Sequence, residues 1–218
     1  MIIYSKSTLP SKIPIFPLTG VLLLPKAKLP LNLFEPRYLN MLDDVLKTSD
    51  RLIGMIQPVN NKTVKSDQKK FHQIGCAGRV VAFNETKDGR YLITLEGISR
   101  FKLDQLADGF LPYVNGVVSW SRFPDDLKKT KPDKNFNRSA FLELLAEYFD
   151  AAKLSSDWSS LKEAEEELLI NSLAMLCPFE PEEKQALLEA SDLESRREVL
   201  ITLMKFSLQG GNDAGTLQ

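Results

Sequence analysis

The apolar positions of this chain fall into two regimes. Up to Trp120 they come mostly as short runs and alternations, with one helical stretch inserted, and from Phe141 onward they recur at helical spacing. Ile13 to Leu18 and Val21 to Leu24 read as two strands divided by Thr19-Gly20. Six of the twelve prolines fall within the first 36 residues, which favours extended segments and sheet edges there. An apolar strand from Leu29 then enters a helix over Pro36–Lys47, with Tyr38, Met41, Leu42, Val45 and Leu46 on one face. Pro36 is pre-set for the first helical position, and Glu35 before it brings a carboxylate to the positive helix end.

Strand patterns return at Arg51 to Gln57, stopping at Pro58. Residues 59–73 are polar and lysine-rich, an exposed loop or hairpin excursion. Gly75 to Asn84 and Arg90 to Leu103 make a hairpin through Thr86-Lys87-Asp88-Gly89, whose Asp-Gly suits a tight turn. Tyr113 to Trp120 is the last strand. Sequential antiparallel strands with one inserted helix predict a small, partly closed barrel.

Beyond a connector over 121–137, one helical stripe holds Phe141, Leu144, Leu145, Tyr148, Phe149 and Ala152. A second holds Leu161, Ala164, Leu168, Leu169, Ser172 and Leu176. Pro181 opens a short helix, and Ser191 to Glu194 has capping-box spacing ahead of a last one. The predicted organisation is a barrel subdomain at 1–120, the connector, a helical subdomain at 138–209 and a flexible tail at 210–218. The class is α+β.

Composition excludes more than it selects. Hydrophobic residues at 43% and charged residues at 26% are those of a globular protein. No apolar run approaches the roughly 18 residues of a membrane span, and MIIYSKSTLP lacks the pattern of a secretory signal. Cys76 and Cys177 do not make a disulfide framework, so a cytoplasmic location is expected. The net charge of −1 conceals +6 over residues 1–120 and −7 over 121–218.

Catalytic signatures are missing. There is no G-x-x-x-x-G-K-[ST] cradle for ATP phosphates, no G-x-G-x-x-G, no G-x-S-x-G and no H-E-x-x-H. His72, the single histidine, and Cys76 give two potential ligands where a zinc site needs four, so no metal or other cofactor is expected. Glu163, Glu165, Glu166 and Glu167 read as one solvated helix face. Lys62, Lys65, Lys69, Lys70 and Phe71 are a weak nucleic-acid signal and are expected to be solubilising.

Ile15-Phe16-Pro17-Leu18, Leu24-Pro25, the segment Leu29 to Tyr38 containing Phe34-Glu35-Pro36-Arg37-Tyr38, and Ile53-Gly54-Met55 come in one order. Gly75, Asp88-Gly89-Arg90-Tyr91, Gly97, Arg100 and Phe101 follow, then Leu187-Leu188-Glu189, Asp192 and Arg196. This series resembles the amino-terminal, substrate-binding domain of Lon proteases. The layout, with Asp157-Trp158 and Cys177-Pro178-Phe179, is similar to short standalone bacterial proteins built from that domain. Val114 departs from it, since the family often follows the tyrosine with arginine.

The resemblance implies a PUA-like antiparallel pseudo-barrel followed by a helical bundle. It implies non-catalytic recognition of unfolded or hydrophobic polypeptide, beside a protease system or alone. The peptide-binding candidates it marks are Phe34, Glu35, Arg37, Tyr38, Arg79 and Arg100. Each has a structural alternative: Glu35 with Arg37 as a pair or helix anchor, Arg79 and Arg100 as rim ion pairs, Phe34 and Tyr38 as core. The competing function is RNA binding, which PUA-like folds also support.

Overall fold

The computed structural model describes residues 8–59, 71–129 and 136–213, the last four of these by backbone alone. The chain divides into two units, Met1–Lys129 and Thr130–Gln218. The division falls inside the segment read from sequence as a connector. Most of the lysine-rich stretch, residues 60–70, lies outside the described residues.

The first unit contains β1 (Lys12–Pro17), β2 (Lys28–Leu33), α1 (Pro36–Leu46), β3 (Leu52–Ile56), β4 (Ile74–Glu85), β5 (Tyr91–Ala107) and β6 (Val114–Ser119). The sheet order is β2-β5-β4-β3-β1-β6, and β6 pairs back onto β5. The sheet therefore curls on itself through β5, whose 17 residues serve several neighbours. Its first part meets β2 from Lys28↔Glu96 to Leu33↔Tyr91, and its last part meets β6 from Lys102↔Ser119 to Ala107↔Asn115. This is a pseudo-barrel built from one mixed sheet.

Two sequence expectations need correction here. The sheet is not antiparallel throughout: β1 runs parallel to β3, with Phe16↔Met55 in register. A parallel pair requires a long crossover, and β2 with α1 supplies it. The run Val21 to Leu24 forms no strand. Leu22, Leu23 and Leu24 are nonetheless fully buried, because the loop seats on β5. There the Lys26 N–H donates to the Gly97 carbonyl at 2.8 Å and the Gly97 N–H to the Ala27 carbonyl at 2.9 Å.

The core gathers Ile13, Ile15, Leu52, Ile56, Ala77, Phe101, Val118 and Trp120. Apolar burial of this kind is the main favourable term in folding. The α1 face buries Tyr38, Met41, Leu42 and Val45, as its periodicity predicts. Residues after Trp120 belong to this unit too. Phe123 is buried, Leu127 packs against the core, and the Trp120 indole N–H donates to the Pro10 carbonyl at 3.0 Å.

The second unit contains α2 (Arg138–Ala151), α3 (Trp158–Glu163), α4 (Glu166–Leu176), α5 (Pro181–Glu189) and α6 (Leu193–Asp213). Asn137 caps α2 through the Ala140 N–H, and Asp192 caps α6 through the Ser195 N–H. The second predicted stripe is broken at Ala164-Glu165, so the four glutamates do not share one helix face. Leu168 and Leu176 are exposed, while Leu169, Ile170, Leu173 and Ala174 are buried. Helix α6 touches α2, α4 and α5. Its Arg196 is buried and donates to the Leu187 carbonyl and the Asn171 Oδ1, each at 3.0 Å.

Candidate functional site

At the strand-to-helix junction, Glu35 is the extended residue before α1, and its side chain caps no backbone N–H. It accepts instead from Arg37, at 2.9 Å from Nε and 2.7 Å from the terminal nitrogen. The Arg37 guanidinium also lies over the Tyr38 ring, 4.6 Å from its centroid. Tyr38 is buried edge-on against Phe16 at 4.3 Å. Burial raises its phenol pKa, Arg37 opposes this and Glu35 adds to it. The junction is thus a local structural device, with its charges already paired.

The other candidates lie elsewhere. Arg79 donates to the carbonyls of Ser49 and Asp50, fixing the turn between α1 and β3. Arg100 is 2% exposed, with its guanidinium held by Asp126 and stacked on Phe123 at 3.7 Å. The rim ion pair expected for Arg100 is a buried one. Its partner comes from beyond the last strand, where sequence reading placed only a connector. The six candidates therefore do not converge on one site. Phe34 alone among them projects a large apolar group, at 63% exposure, against the core placement open to it from sequence.

The open surface across β2, β5 and β4 was not singled out from sequence. Strands β4 and β5 outrun β3, which pairs only from Leu52↔Arg79 to Met55↔Cys76. Residues Val81 to Glu85 and Leu92 consequently stand out as an exposed arm, flanked by β2. Phe83 is 52% exposed and Leu92 48%. Register places Asn32, Leu92 and Asn84 in one row and Pro30, Thr94 and Ala82 in the next. These rows line a shallow groove of about 480 Å³ that contains no charged side chain. The signal lay in strand length: residues of a hairpin that exceed their neighbours cannot all be covered.

Cys76 and Cys177 are both buried and neither is in a disulfide. Burial pushes the Cys177 thiol up to about 12, which suits packing rather than reactivity. Among the described residues no group of three or more His, Cys, Asp or Glu could hold a metal ion, and no helix is long and apolar enough to cross a membrane.

Comparison with known proteins gives one consistent match. The family described as ATP-dependent protease La (LON) substrate-binding domain matches over residues 12–205. Lon protease of Flavobacterium johnsoniae is 23% identical over 209 residues, covering 92% of this chain and 25% of the relative. Lon protease of Cytophaga hutchinsonii is 23% identical, covering 94% of this chain and 25% of the relative. The chain thus spans about a quarter of the length of these curated relatives, and the match does not reach their ATPase and protease portions. Two solved structures share the fold. A Lon N-terminal domain protein from Xanthomonas campestris has a TM-score of 0.60 at 23% identity, covering 88% of this chain and 98% of that one. The N-terminal domain of the Mycobacterium avium complex Lon protease has a TM-score of 0.64 at 14% identity, covering 89% and 98%.

Proposed function

This chain belongs to the substrate-binding domain family of ATP-dependent protease La (Lon), and from that premise we propose that it binds unfolded or hydrophobic polypeptide segments without catalysing a reaction on them. One observation carries the reading. The described part of the first unit leaves an uncharged groove, lined in part by the exposed Phe83 and Leu92, beside an open sheet edge, and leaves Phe34 exposed just past the end of β2. Apolar surface kept in water at a cost is a mark of interaction sites. A groove without charges recognises apolar character rather than one sequence, which is the selectivity that unfolded chains require.

Phe34 is the direct contact among the sequence-marked candidates. Glu35, Arg37 and Tyr38 position it by fixing how the chain leaves β2 and enters α1. The working location is the cytoplasm, and the partner system is a protease that receives the bound chain. The absence of a phosphate-cradling motif and the restriction of the family match to the binding portion support a non-enzymatic role.

The test is binding of a chemically denatured, soluble model protein at increasing salt. Micromolar binding that persists at high salt supports apolar recognition. Failure to bind, together with RNA binding that salt reverses, replaces this reading with a nucleic-acid one.

A further inference from the structure

Resting on the polypeptide-binding reading, we propose that the bound segment is held as an added strand along the free edge of β2, contributing backbone hydrogen bonds to Lys28, Pro30 and Asn32. Among the described residues, strand β2 ends the sheet order and pairs only with β5. Pro30, opposite Thr94, has no N–H to give that ladder. The ladder keeps its bonds only when the Pro30 nitrogen faces away from β5. Alternate residues of an antiparallel strand direct their polar groups to the same side. Lys28, Pro30 and Asn32 therefore face outward, and Leu29, Leu31 and Leu33 face β5.

Side-chain burial has the same alternation: Lys28, Pro30 and Asn32 are exposed, Leu29 and Leu31 are half-buried and Leu33 is buried. The open edge offers N–H groups from Lys28 and Asn32 and carbonyls from all three outward residues. Such groups recur at about 7 Å along a strand. An extended backbone matches that spacing, and a helical or folded segment has already used its own groups.

The chemistry of the occupant follows from the surroundings. The groove lined by Pro30, Asn32, Leu92 and Asn84 carries no charge, so a charged side chain entering it would lose water without gaining a partner. The segment is thus extended, apolar and uncharged. Lys28 and Pro30 are devices by which edge strands resist permanent sheet extension. With the Pro30 donor missing, the edge holds a strand through two N–H groups and releases it.

The experiment uses the full chain and a short fluorescein-labelled peptide alternating valine and serine, read by anisotropy. Two further peptides carry backbone N-methyl groups on the valines or on the serines, so that only one of them loses the N–H groups facing β2. The expected result is a loss of affinity of about tenfold or more for one methylated peptide and little for the other. Asn32→Pro, which deletes one outward N–H, should weaken the parent peptide, whereas Asn32→Ala, which keeps it, should not. Equal binding of all three peptides overturns strand addition and leaves polypeptide binding standing. Failure of the parent peptide and of denatured protein to bind overturns both. Dimerisation that Asn32→Pro abolishes, without any effect on peptide, assigns the edge to a second copy and overturns the proposal.

Discussion

Asp126 reaches back from beyond the last strand to clamp Arg100 on the longest one. Its carboxylate accepts the Arg100 backbone N–H at 2.8 Å, Nε at 2.9 Å and a terminal nitrogen at 2.7 Å. The site falls between the parts of β5 that pair with β2 and with β6, so on the edge away from β4 a side chain satisfies an N–H that neither β2 nor β6 reaches. The side chains of the pair are 3% and 7% exposed. Breaking such a pair from one side is far more costly than replacing both partners, because it strands a buried charge. Asp126→Ala should lower the stability of the first unit by about 3–5 kcal/mol. Arg100→Met combined with Asp126→Leu should recover much of that loss. Urea denaturation followed by Trp120 fluorescence, with Trp158 replaced by Phe, isolates the unit; an unchanged midpoint for Asp126→Ala refutes the argument.

Gly97 stands where a side chain cannot. A Cβ there would lie 2.0 Å from the Leu24 carbonyl oxygen, at the point where the loop carrying the buried Leu22, Leu23, Leu24 and Ala27 seats on β5. Gly97→Ala should therefore cost about 3 kcal/mol, since the obstacle is backbone rather than a flexible side chain. Gly109, which has open space around it, provides the control: Gly109→Ala should change little. Equal midpoints for the two variants would sink the close-approach explanation.

These two sites explain what the sequence made legible. Gly97, Arg100 and Phe101 stood out as a motif because each meets a strict demand. Gly97 admits a loop, Arg100 holds Asp126, and Phe101 is fully buried in the core. The periodicity of α1 was readable because its one apolar face meets one surface. The 22–24 leucines misled because burial in a loop and burial in a strand look alike over a short apolar run. The parallel β1–β3 pair was hidden because pairing direction depends on where the crossover goes, not on either strand. The groove was missed for a related reason: Phe83 and Leu92 have ordinary strand patterns, and only the shortness of β3 leaves them uncovered.

Tyr113 ties β6 to α1 by donating to Asp44 Oδ2 at 2.9 Å. Burial, then the bond to Asp44 and its charge, push the phenol up to about 12. A folded-state pKa above the unfolded value gives stability that is complete below pH about 10 and lost as pH rises through the folded value. The first unit should thus weaken between pH 10 and 12, and Tyr113→Phe should flatten that fall while losing the hydrogen bond at neutral pH. In the second unit Tyr148 is likewise raised to about 12, chiefly by burial, so its alkaline loss should survive the Tyr113 change. Thermal melts across this pH range check both; a slope that Tyr113→Phe leaves intact contradicts the assignment.

Exposed apolar residues separate a binding site from general stickiness only when they are compared. Phe83 and Leu92 border the uncharged groove at the start of β5, whereas Phe110, fully exposed, lies in the loop after its far end. Strand rise over the 17 residues of β5 keeps these surfaces well apart. Serine at any of these three positions should shift stability by about 0.5 kcal/mol or less, because none is core. Phe83→Ser with Leu92→Ser should nevertheless reduce affinity for a denatured model protein by about tenfold, through lost apolar burial. Phe110→Ser should not. If all three changes weaken binding equally, exposure alone drives association. If only Phe110→Ser does so, the binding surface is the β5–β6 loop and not the groove.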